Sequence, residues 1–434
     1  MLNALQKETF DYFIHESNRE TGLVRDRTRA GCPASIAATG LALAAYPTGV
    51  ERGFLKREAA VERVLTTLRF FRNSRQGNEA DATGHKGFYY HFLDMRTGRR
   101  VWNCELSTID TTYLLAGGLA AAVYFDGEDP LEREIGECAN ALYRRAEWEW
   151  ALNGTSRVSL GWKPKTGFIE YYWQGYDESL LLQVLGLGSP THPLPDESYR
   201  NWTASYQWKK IYGQSHVYAG PLFIHQLPQL WLDLRGIQDE FMRAKGIDYF
   251  ENSRRATLVQ QQYAIRNPGG WKHYGENCWG ITASDGPGPK TLRVEGVERQ
   301  FFGYVARGVP FGPDDGTVAP WAVVSSLPFA PAIVLPTIRH FSALRLRERN
   351  SYGFKATFNP TYPKKVGTPY GWTSGHLGLN QGPIVLMIEN YRTGFPWQLM
   401  RNCPYVIQGL RRAGFTNGWL DGVPGSAREQ ISGG

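Results

Sequence analysis

The chain has 434 residues, 42% of them apolar, and a net charge of +7 from 48 basic and 41 acidic residues. This length suggests about two or three domains, although single-domain rings and barrels also reach it. Because the basic excess is small and its Lys and Arg are scattered, the charge argues against a nucleic-acid-binding protein. The five cysteines lie far apart without a Cys-x-x-Cys pair, which predicts free thiols and neither a zinc site nor a disulfide framework.

Apolar residues recur at three- and four-residue spacing in about eleven segments, which predicts α-helices. In chain order these cover residues 2–17, 35–46, 54–73, 107–125, 130–148, 178–188, 220–234, 239–267, 318–341, 382–392 and 403–415. Several are rich in Ala and Gly and apolar nearly all round, as is typical of helices packed inside a ring of others. We therefore predict an all-α fold, an (α/α)6 toroid, in a single domain spanning residues 1–434.

The sequence predicts no membrane span. Its most apolar stretch, residues 107–125, contains Asp110 and fits a buried core helix. The N-terminus lacks the basic start and apolar run of a secretory signal. We expect a monomer that is cytoplasmic as the sequence stands, or periplasmic or secreted if a leader was removed.

The segments between the predicted helices combine aromatic residues with Asp, Glu and Asn. The chain contains 14 Trp, 23 Tyr and 21 Phe, and Trp and Tyr favour half-apolar, half-hydrated places because their polar tips need partners. Sugar-binding clefts and nucleobase-stacking grooves both provide such places. If the helices alternate in direction around a ring, these loops meet at one rim on a rigid scaffold.

The stretch FIEYYWQGYDESLLLQVLGLGSPTHP, residues 168–193, allows two interpretations. Asp177 fits an N-cap with Glu178 in the first turn, where the helix dipole favours negative charge. Burial against Trp173 and Tyr176 has the opposite effect on a carboxyl group, because desolvation raises its pKa. The residues alone leave a capped helix and a catalytic acid equally open.

Asp110 presents the same choice. Ser107 and Asp110 fit the S/T-x-x-D/E capping box that begins a helix, while the aromatic loop before them favours a position in a cleft. Glu251 and Arg255, four residues apart on a predicted helix, indicate a salt bridge rather than a site.

The remaining candidates are weaker. Asp285, Asp314 and Asp315 lie in the turn sequences SDGPGP and GPDDGT, and are also candidate hydroxyl contacts at a rim. His192 and His225 stand alone, as structural histidines commonly do. P-loop, H-E-x-x-H and G-x-S-x-G motifs are absent, so we predict neither a metal nor a cofactor. An enzyme with a carboxylate pair and a binding protein with a stacking groove both remain open.

A series of long motifs then carries a resemblance. In order, they are YFIHESNRETGLVRDR, GFYYHFLDMRTGRR, CELSTIDTTYLLAG, YWQGYDES with GLGSPTHP, IDYFENSRRAT, WGITASDGP, ARGVPFGPDDGTVAP, SSLPFAP and GLNQGPIVLMIENYRTG. Together, over about residues 4–402, they resemble the bacterial glucoamylase-like proteins of glycoside hydrolase family 144, a group that includes endo-β-1,2-glucanases.

The resemblance implies an (α/α)6 toroid with an acidic, aromatic cleft and inverting hydrolysis of β-linked glucan, in first place β-1,2-glucan. It assigns the proton donor to Glu178 of the W-x-G-Y-x-E motif and a substrate contact to Asp110. The family's usual Asp before QGP is a candidate base, but this chain has Asn380, and an amide does not take a proton from water. The segment GFKATFN also carries Lys355 and Ala356 where the family tends to have Asp.

Three explanations of Asn380 are compatible with the sequence. The base is another rim acid, such as Asp314 or Asp315; or the protein is a transglycosylase or phosphorolytic relative in which Asn380 orients an acceptor; or it binds glucan without turnover. We expect a glycoside hydrolase with Glu178, Asp110 and Asn380 in its catalytic centre, an oligo- or polysaccharide partner and no nucleic acid. The candidate sugar contacts are Trp173, Tyr176, His192, Trp279, Asp285, Asp314, Asp315 and Trp372.

Overall fold

A computed structural model describes residues 1–347, 351–363 and 370–424 of the chain. The helices of this part are α1 Leu2–His15, α2 Ile36–Glu51, α3 Arg57–Asn73, α4 Thr108–Tyr124, α5 Pro130–Arg145, α6 Leu180–Gly188, α7 Asp196–Thr203, α8 Glu240–Lys245, α9 Tyr249–Arg266, α10 Pro320–Ser325, α11 Pro331–Ala343, α12 Gly378–Arg392, α13 Phe395–Arg401 and α14 Pro404–Arg412. Short 3-10 turns cover Trp150–Leu152, Leu222–His225, Leu227–Leu230 and Gly418–Leu420.

Short strands lie between the helices. They are β1 Ala34–Ser35, β2 Gly84–His85, β3 Phe88–Tyr90, β4 Phe92–Leu93, β5 Leu106–Ser107, β6 Gly161–Lys163, β7 Gly167–Phe168, β8 Trp208–Ile211, β9 Gln214–Val217, β10 Ala283–Ser284, β11 Lys290–Val294, β12 Val297–Phe301, β13 Val305–Ala306, β14 Phe358–Asn359 and β15 Trp372–Thr373. Five form an antiparallel sheet in the order β2-β3-β5-β6-β7, and the others pair two by two. The fold is therefore mostly helical, and the expectation of an all-α fold was too strict.

The helices divide into buried and peripheral ones. Every residue of α6 is buried, and so are nearly all of α2, α4 and α12, whereas α5 buries one stripe and exposes the other. Helix α2 packs on α4 and α12, α4 on α6, and α10 on α12. The peripheral helices α1, α3, α5 and α14 pack against these buried helices. Helices that are apolar all round therefore occupy the centre, as their composition predicts.

All five cysteines are free thiols, as predicted, and all of them are buried. Within the described residues, no helix combines the length and apolar character needed to cross a bilayer.

Three predicted helices are interrupted. Residues 220–234 form two 3-10 turns, because Pro221 and Pro228 each lack the N–H that a continuous helix needs. Residues 239–267 divide at Gly246, whose φ of +68° ends α8. Residues 318–341 divide before Pro331, and helices α7 and α13 were not predicted.

Candidate active site

A cleft of about 420 Å3 lies where the amino-terminal ends of buried helices meet the five-stranded sheet. Asp110 enters it from the first turn of α4, Glu178 from two residues before α6, and Asn380 from the first turn of α12. Its ionisable lining residues are Asp26, Arg27, His91, Glu105, Asp110 and Glu178. The three residues predicted for the catalytic centre thus line one cleft.

The backbone around Glu178 is fixed by Asp177, although not as predicted. Helix α6 begins at Leu180 with Ser179 as its N-cap residue, so the interpretation of Asp177 as the cap is wrong. Asp177 instead accepts hydrogen bonds from the Ser179 backbone N–H at 3.0 Å and from the Trp202 indole N–H at 2.9 Å. This turn holds Glu178 just outside the helix, where its side chain reaches the cleft.

Glu178 is half-buried, and the pKa of its carboxyl group is unusually high. Burial, followed by the negative charges of Asp110 and Asp177, raises its pKa to about 8, against the opposing effect of a hydrogen bond from Tyr113. That hydroxyl donates to Oε2 at 2.9 Å, and the Tyr113 ring stacks on Trp231 with centroids 5.4 Å apart. At neutral pH the carboxyl group therefore carries a proton that it can donate.

Asp110 lies in the capped first turn of a helix and also lines the cleft, so both interpretations of this residue apply. Its backbone N–H donates to the Ser107 hydroxyl at 3.2 Å, which is the predicted cap of α4. Its side chain, almost fully buried, lines the cleft with Oδ2 at 3.5 Å from Nε2 of His91. The cap fixes the first turn of α4 and so places this carboxylate beside Glu178.

His91 and Glu105 were missed by the sequence reasoning. Nδ1 of His91 lies 2.9 Å from Oε1 of Glu105, and the imidazole stacks on Phe92 with centroids 3.9 Å apart. Burial lowers the pKa of His91, but the carboxylates of Asp110 and Glu105 outweigh this and raise it to about 9. A lone His in GFYYHFLD gives no sign of partners 14 and 19 residues away, and only the aromatic motif pointed to this loop.

Asn380 and Trp173 lie where the predictions require. Asn380 is almost fully buried in the cleft wall, with its backbone N–H bonded to the Leu377 carbonyl at 3.1 Å. Trp173 also lines the cleft, and its indole N–H donates to the Thr108 hydroxyl at 3.0 Å. This bond fixes an apolar ring face next to the carboxylates.

Tyr176 and Trp279 were also predicted to contact sugar, but they do not line this cleft. Tyr176 packs behind the wall, with its ring 5.9 Å from that of Tyr249 and 5.1 Å from that of His225. Trp279 is fully buried and donates to the Thr337 hydroxyl at 3.0 Å.

His192 follows the far end of α6, a helix of 9 residues that begins beside Glu178. At about 1.5 Å per residue, this helix separates the two ends by roughly 13 Å. His192 therefore lies away from Glu178 and does not line the cleft. His225, in contrast, is buried with its pKa lowered to about 3 by desolvation, as expected of a structural histidine.

Asp314 and Asp315, the acids considered as alternative bases, make ion-pair or hydrogen-bond contacts within the protein. Asp315 and Arg307 are both fully buried and form an ion pair at 2.8 Å. Asp314 accepts hydrogen bonds from the hydroxyls of Tyr263 and Tyr274 at 3.0 and 2.7 Å, outside the cleft lining. Neither lines the cleft that contains Glu178, so the structure does not bring these two acids together with the predicted proton donor.

The last two predicted contacts, Asp285 and Trp372, do not line the cleft either. Asp285 pairs with Arg27 at 2.9 Å and so supports a lining residue from behind. Trp372 belongs to β15, paired with β14 through Asn359.

The salt bridge predicted for Glu251 and Arg255 is confirmed at 2.7 Å. No group of three His, Cys, Asp or Glu in the described part of the chain is arranged to hold a metal ion.

The chain is similar over most of its length to solved structures of other proteins. A Bacteroides uniformis structure described as a "putative glucoamylase" is 33% identical, with a TM-score of 0.84 over 96% of this chain and 98% of that one. The endo-β-1,2-glucanase of Chitinophaga pinensis, solved with sophorotriose and glucose, is 27% identical, with a TM-score of 0.82 over 96% and 98% of the two chains.

A curated relative is longer than this chain. The exo β-1,2-glucooligosaccharide sophorohydrolase (non-reducing end) of Parabacteroides distasonis is 28% identical over 95% of this chain. The match spans 57% of that protein, a little over half its length.

The mostly helical fold and its acidic cleft with an aromatic wall define a glucoamylase-like protein. Residues 170–404, more than half of the chain, match the family described as "Glycoamylase: Putative glucoamylase". The chain belongs to this family, which confirms the resemblance found in its motifs.

Proposed function

We propose that this protein is a glycoside hydrolase that cleaves β-1,2-linked glucan, with Glu178 as the general acid. The observation that carries the proposal is the raised pKa of Glu178, about 8, within a cleft that also contains the Asp110 carboxylate. Glycoside hydrolysis needs one carboxyl group that is protonated and a second one that is ionised. The names of the Chitinophaga and Parabacteroides relatives support β-1,2-glucan as the substrate.

The residues of the cleft divide the reaction between them. Glu178 gives its proton to the glycosidic oxygen as the bond from that oxygen to the anomeric carbon breaks. Water then bonds to the anomeric carbon, and Asp110 accepts the proton that water releases. The ring of Trp173 offers an apolar face to the sugar, whose C–H groups pack on aromatic rings.

We also propose that the helices form an (α/α)6 toroid in one domain. The buried helices α2, α4, α6, α10 and α12 supply most of an inner ring, and the two 3-10 turns at Leu222–Leu230 occupy the remaining place next to α12. One hydrophobic cluster extends from Leu5 to Leu420, which supports a single domain.

Asn380 supports a second candidate function. Its amide lines the cleft at the position where the family resemblance places a base. An amide orients a hydroxyl or phosphate without removing a proton from water. A transglycosylase or phosphorolytic enzyme with the same acid is therefore the alternative.

A turnover assay tests first the role of Glu178 and then which of the two functions applies. We expect Glu178→Gln to reduce turnover of linear β-1,2-glucan by about 10²–10⁴-fold, because a glutamine donates no proton. The control, Glu197→Gln, makes the same change at an exposed position of α7 and leaves the rate unchanged.

The assay is run with water alone, with added glucose and with added phosphate, and the products are separated by chromatography. Products that require phosphate or a sugar acceptor would favour the alternative. Full activity of Glu178→Gln would overturn the assignment of the acid.

A further inference from the structure

His91 differs from the structural histidine of the same chain. Its side chain is 31% exposed and lines the cleft, whereas His225 is buried against the carbonyl of Ala219. A histidine that serves only to hold a loop needs no exposed surface in a cleft. The exposed part of His91 faces the space in which the proposed reaction takes place.

The orientation of the imidazole is determined on every side. Nδ1 contacts Glu105 at 2.9 Å, Nε2 contacts Asp110 at 3.5 Å, and one ring face stacks on Phe92. The backbone is held as well, since His91 N–H donates to the Glu105 carbonyl at 3.0 Å and its own carbonyl accepts from Ile36 at 3.2 Å. The ring therefore lies between the carboxylates of Glu105 and Asp110.

The charges around the ring make it a cation at neutral pH. Asp110 and Glu105 contact it directly, and Asp26 adds a more distant negative charge. Its pKa of about 9 keeps both ring nitrogens protonated, so Nδ1 donates a hydrogen bond to Glu105 and Nε2 forms an ion pair with Asp110 at 3.5 Å. The positive charge of His91 also lowers the pKa of Glu178, opposing the rise caused by burial and by Asp110.

The proposed reaction depends on the direction in which the Asp110 carboxylate points. Asp110 and Glu178 lie in one cleft, and the reaction needs the first ionised and the second protonated. The His91 imidazolium, with Nε2 at 3.5 Å from Oδ2 of Asp110, attracts this carboxylate and fixes the direction of its oxygens. Glu105 holds the imidazolium in place and is not itself hydrogen-bonded to Glu178.

We infer that His91 is a positioning residue for the reaction: an imidazolium, anchored by Glu105, that orients the Asp110 carboxylate towards the bond protonated by Glu178. The inference rests on the proposed function. It makes Glu105, His91 and Asp110 a unit of three residues: one directly before β5, one between β3 and β4, and one in the first turn of α4.

The test replaces the imidazolium by a neutral amide. We expect His91→Gln to lower kcat on linear β-1,2-glucan by about 10–100-fold with KM changed less than about 3-fold, because Asp110 is misplaced while the sugar contacts remain. The alkaline limb of kcat/KM should move to higher pH, because the variant lacks the positive charge that lowers the pKa of Glu178. A residue with only a structural role would not move this limb.

Two further variants show whether His91 acts through Asp110. The kcat of His91→Gln/Asp110→Asn should lie within about 3-fold of that of Asp110→Asn alone, because residues acting as a unit are not additive. Glu105→Gln removes the anchor and should give a smaller loss in the same direction. It also serves as the test if His91→Gln does not fold.

Controls and contrary outcomes complete the test. His340→Gln on α11, outside the cleft lining, should leave kcat, KM and the pH profile unchanged. Additive losses in the double variant, an unmoved alkaline limb, or an unchanged kcat of His91→Gln would overturn the inference. If Glu178→Gln is inactive in that case, the proposed function stands and the role of His91 alone fails.

Discussion

The carboxyl group of Glu178 is more stable in its neutral form, because burial and two neighbouring carboxylates disfavour the ionised one. Its pKa of about 8 in the folded protein lies above the ordinary 4.5 that we assume for the unfolded chain. Between these values the folded state holds a proton that the unfolded state has released. The stabilisation is therefore complete below about pH 4.5 and is lost as the pH rises towards about 8.

We therefore predict that Glu178→Gln is more stable than the wild type at pH 8, by on the order of 1–3 kcal/mol, and that this difference nearly vanishes at about pH 4.5. Glutamine cannot ionise, so it avoids the cost of a buried charge. Urea unfolding at the two pH values measures the effect.

The comparison with the wild type also isolates Glu178 from His91, whose raised pKa makes stability fall with pH in both proteins. Glu197→Gln, exposed on α7, should show no such difference. A Glu178→Gln variant that is equally stable, or less stable, at pH 8 would show that the carboxyl group is not held neutral by its surroundings.

How far the site follows from the sequence depends on where the partners of each residue lie. Glu178, Asp110 and Asn380 were found because a motif surrounds each of them. The contacts of His91 and Asp315 were not predicted, because their partners Glu105, Asp110 and Arg307 come from other segments. Spacing does not show which of several acids beside aromatic residues will face a cavity.

At the scale of elements, the crossing of α2 and α4 sets the position of Asp110. A Cβ on Gly117 would lie 1.9 Å from the Gly40 carbonyl oxygen, and one on Gly40 would lie 2.3 Å from the Tyr113 carbonyl oxygen. The two backbones are therefore in direct contact, which only glycine permits at these positions. Tyr113, the donor to Glu178, lies at this crossing.

We predict that Gly117→Ala destabilises the protein by about 3 kcal/mol, because an added methyl group forces the two helices apart. The variant should also lose activity, since α4 carries Asp110 and Tyr113. Thermal unfolding and turnover of β-1,2-glucan measure the two effects.

Gly136→Ala on α5 is the matched control, because a Cβ there has nothing within 4 Å. It should stabilise the helix by about 0.5–1 kcal/mol and leave turnover unchanged. Equal effects of the two substitutions would contradict a backbone contact at Gly117.

The same elements show what periodicity predicts well. Helices α3, α4 and α5 were predicted nearly in full, whereas the prediction for α2 ended five residues early, before Pro47. Residues 220–234 have the composition of a helix, yet two prolines reduce them to 3-10 turns. The short strands of the sheet were not predicted, since two or three residues give no detectable alternation.

The molecule as a whole is basic, with a net charge of +7, while its cleft contains four carboxyl groups and only two cations, Arg27 and His91. A polyanion such as DNA is attracted to scattered Lys and Arg on the surface but repelled by the cleft. A glucan is neutral, so it enters without releasing counterions. The distribution of charge thus favours an uncharged substrate.

We predict that KM for linear β-1,2-glucan changes less than about 2-fold between about 50 mM and about 500 mM NaCl, because the contacts to a neutral sugar are not screened by salt. Any binding of single-stranded DNA should fall by more than about 10-fold over the same range. Initial rates and a parallel titration with labelled DNA measure the two. A KM that rises steeply with salt would contradict this prediction. It would mean that charged contacts dominate substrate binding, which is not expected for a neutral glucan.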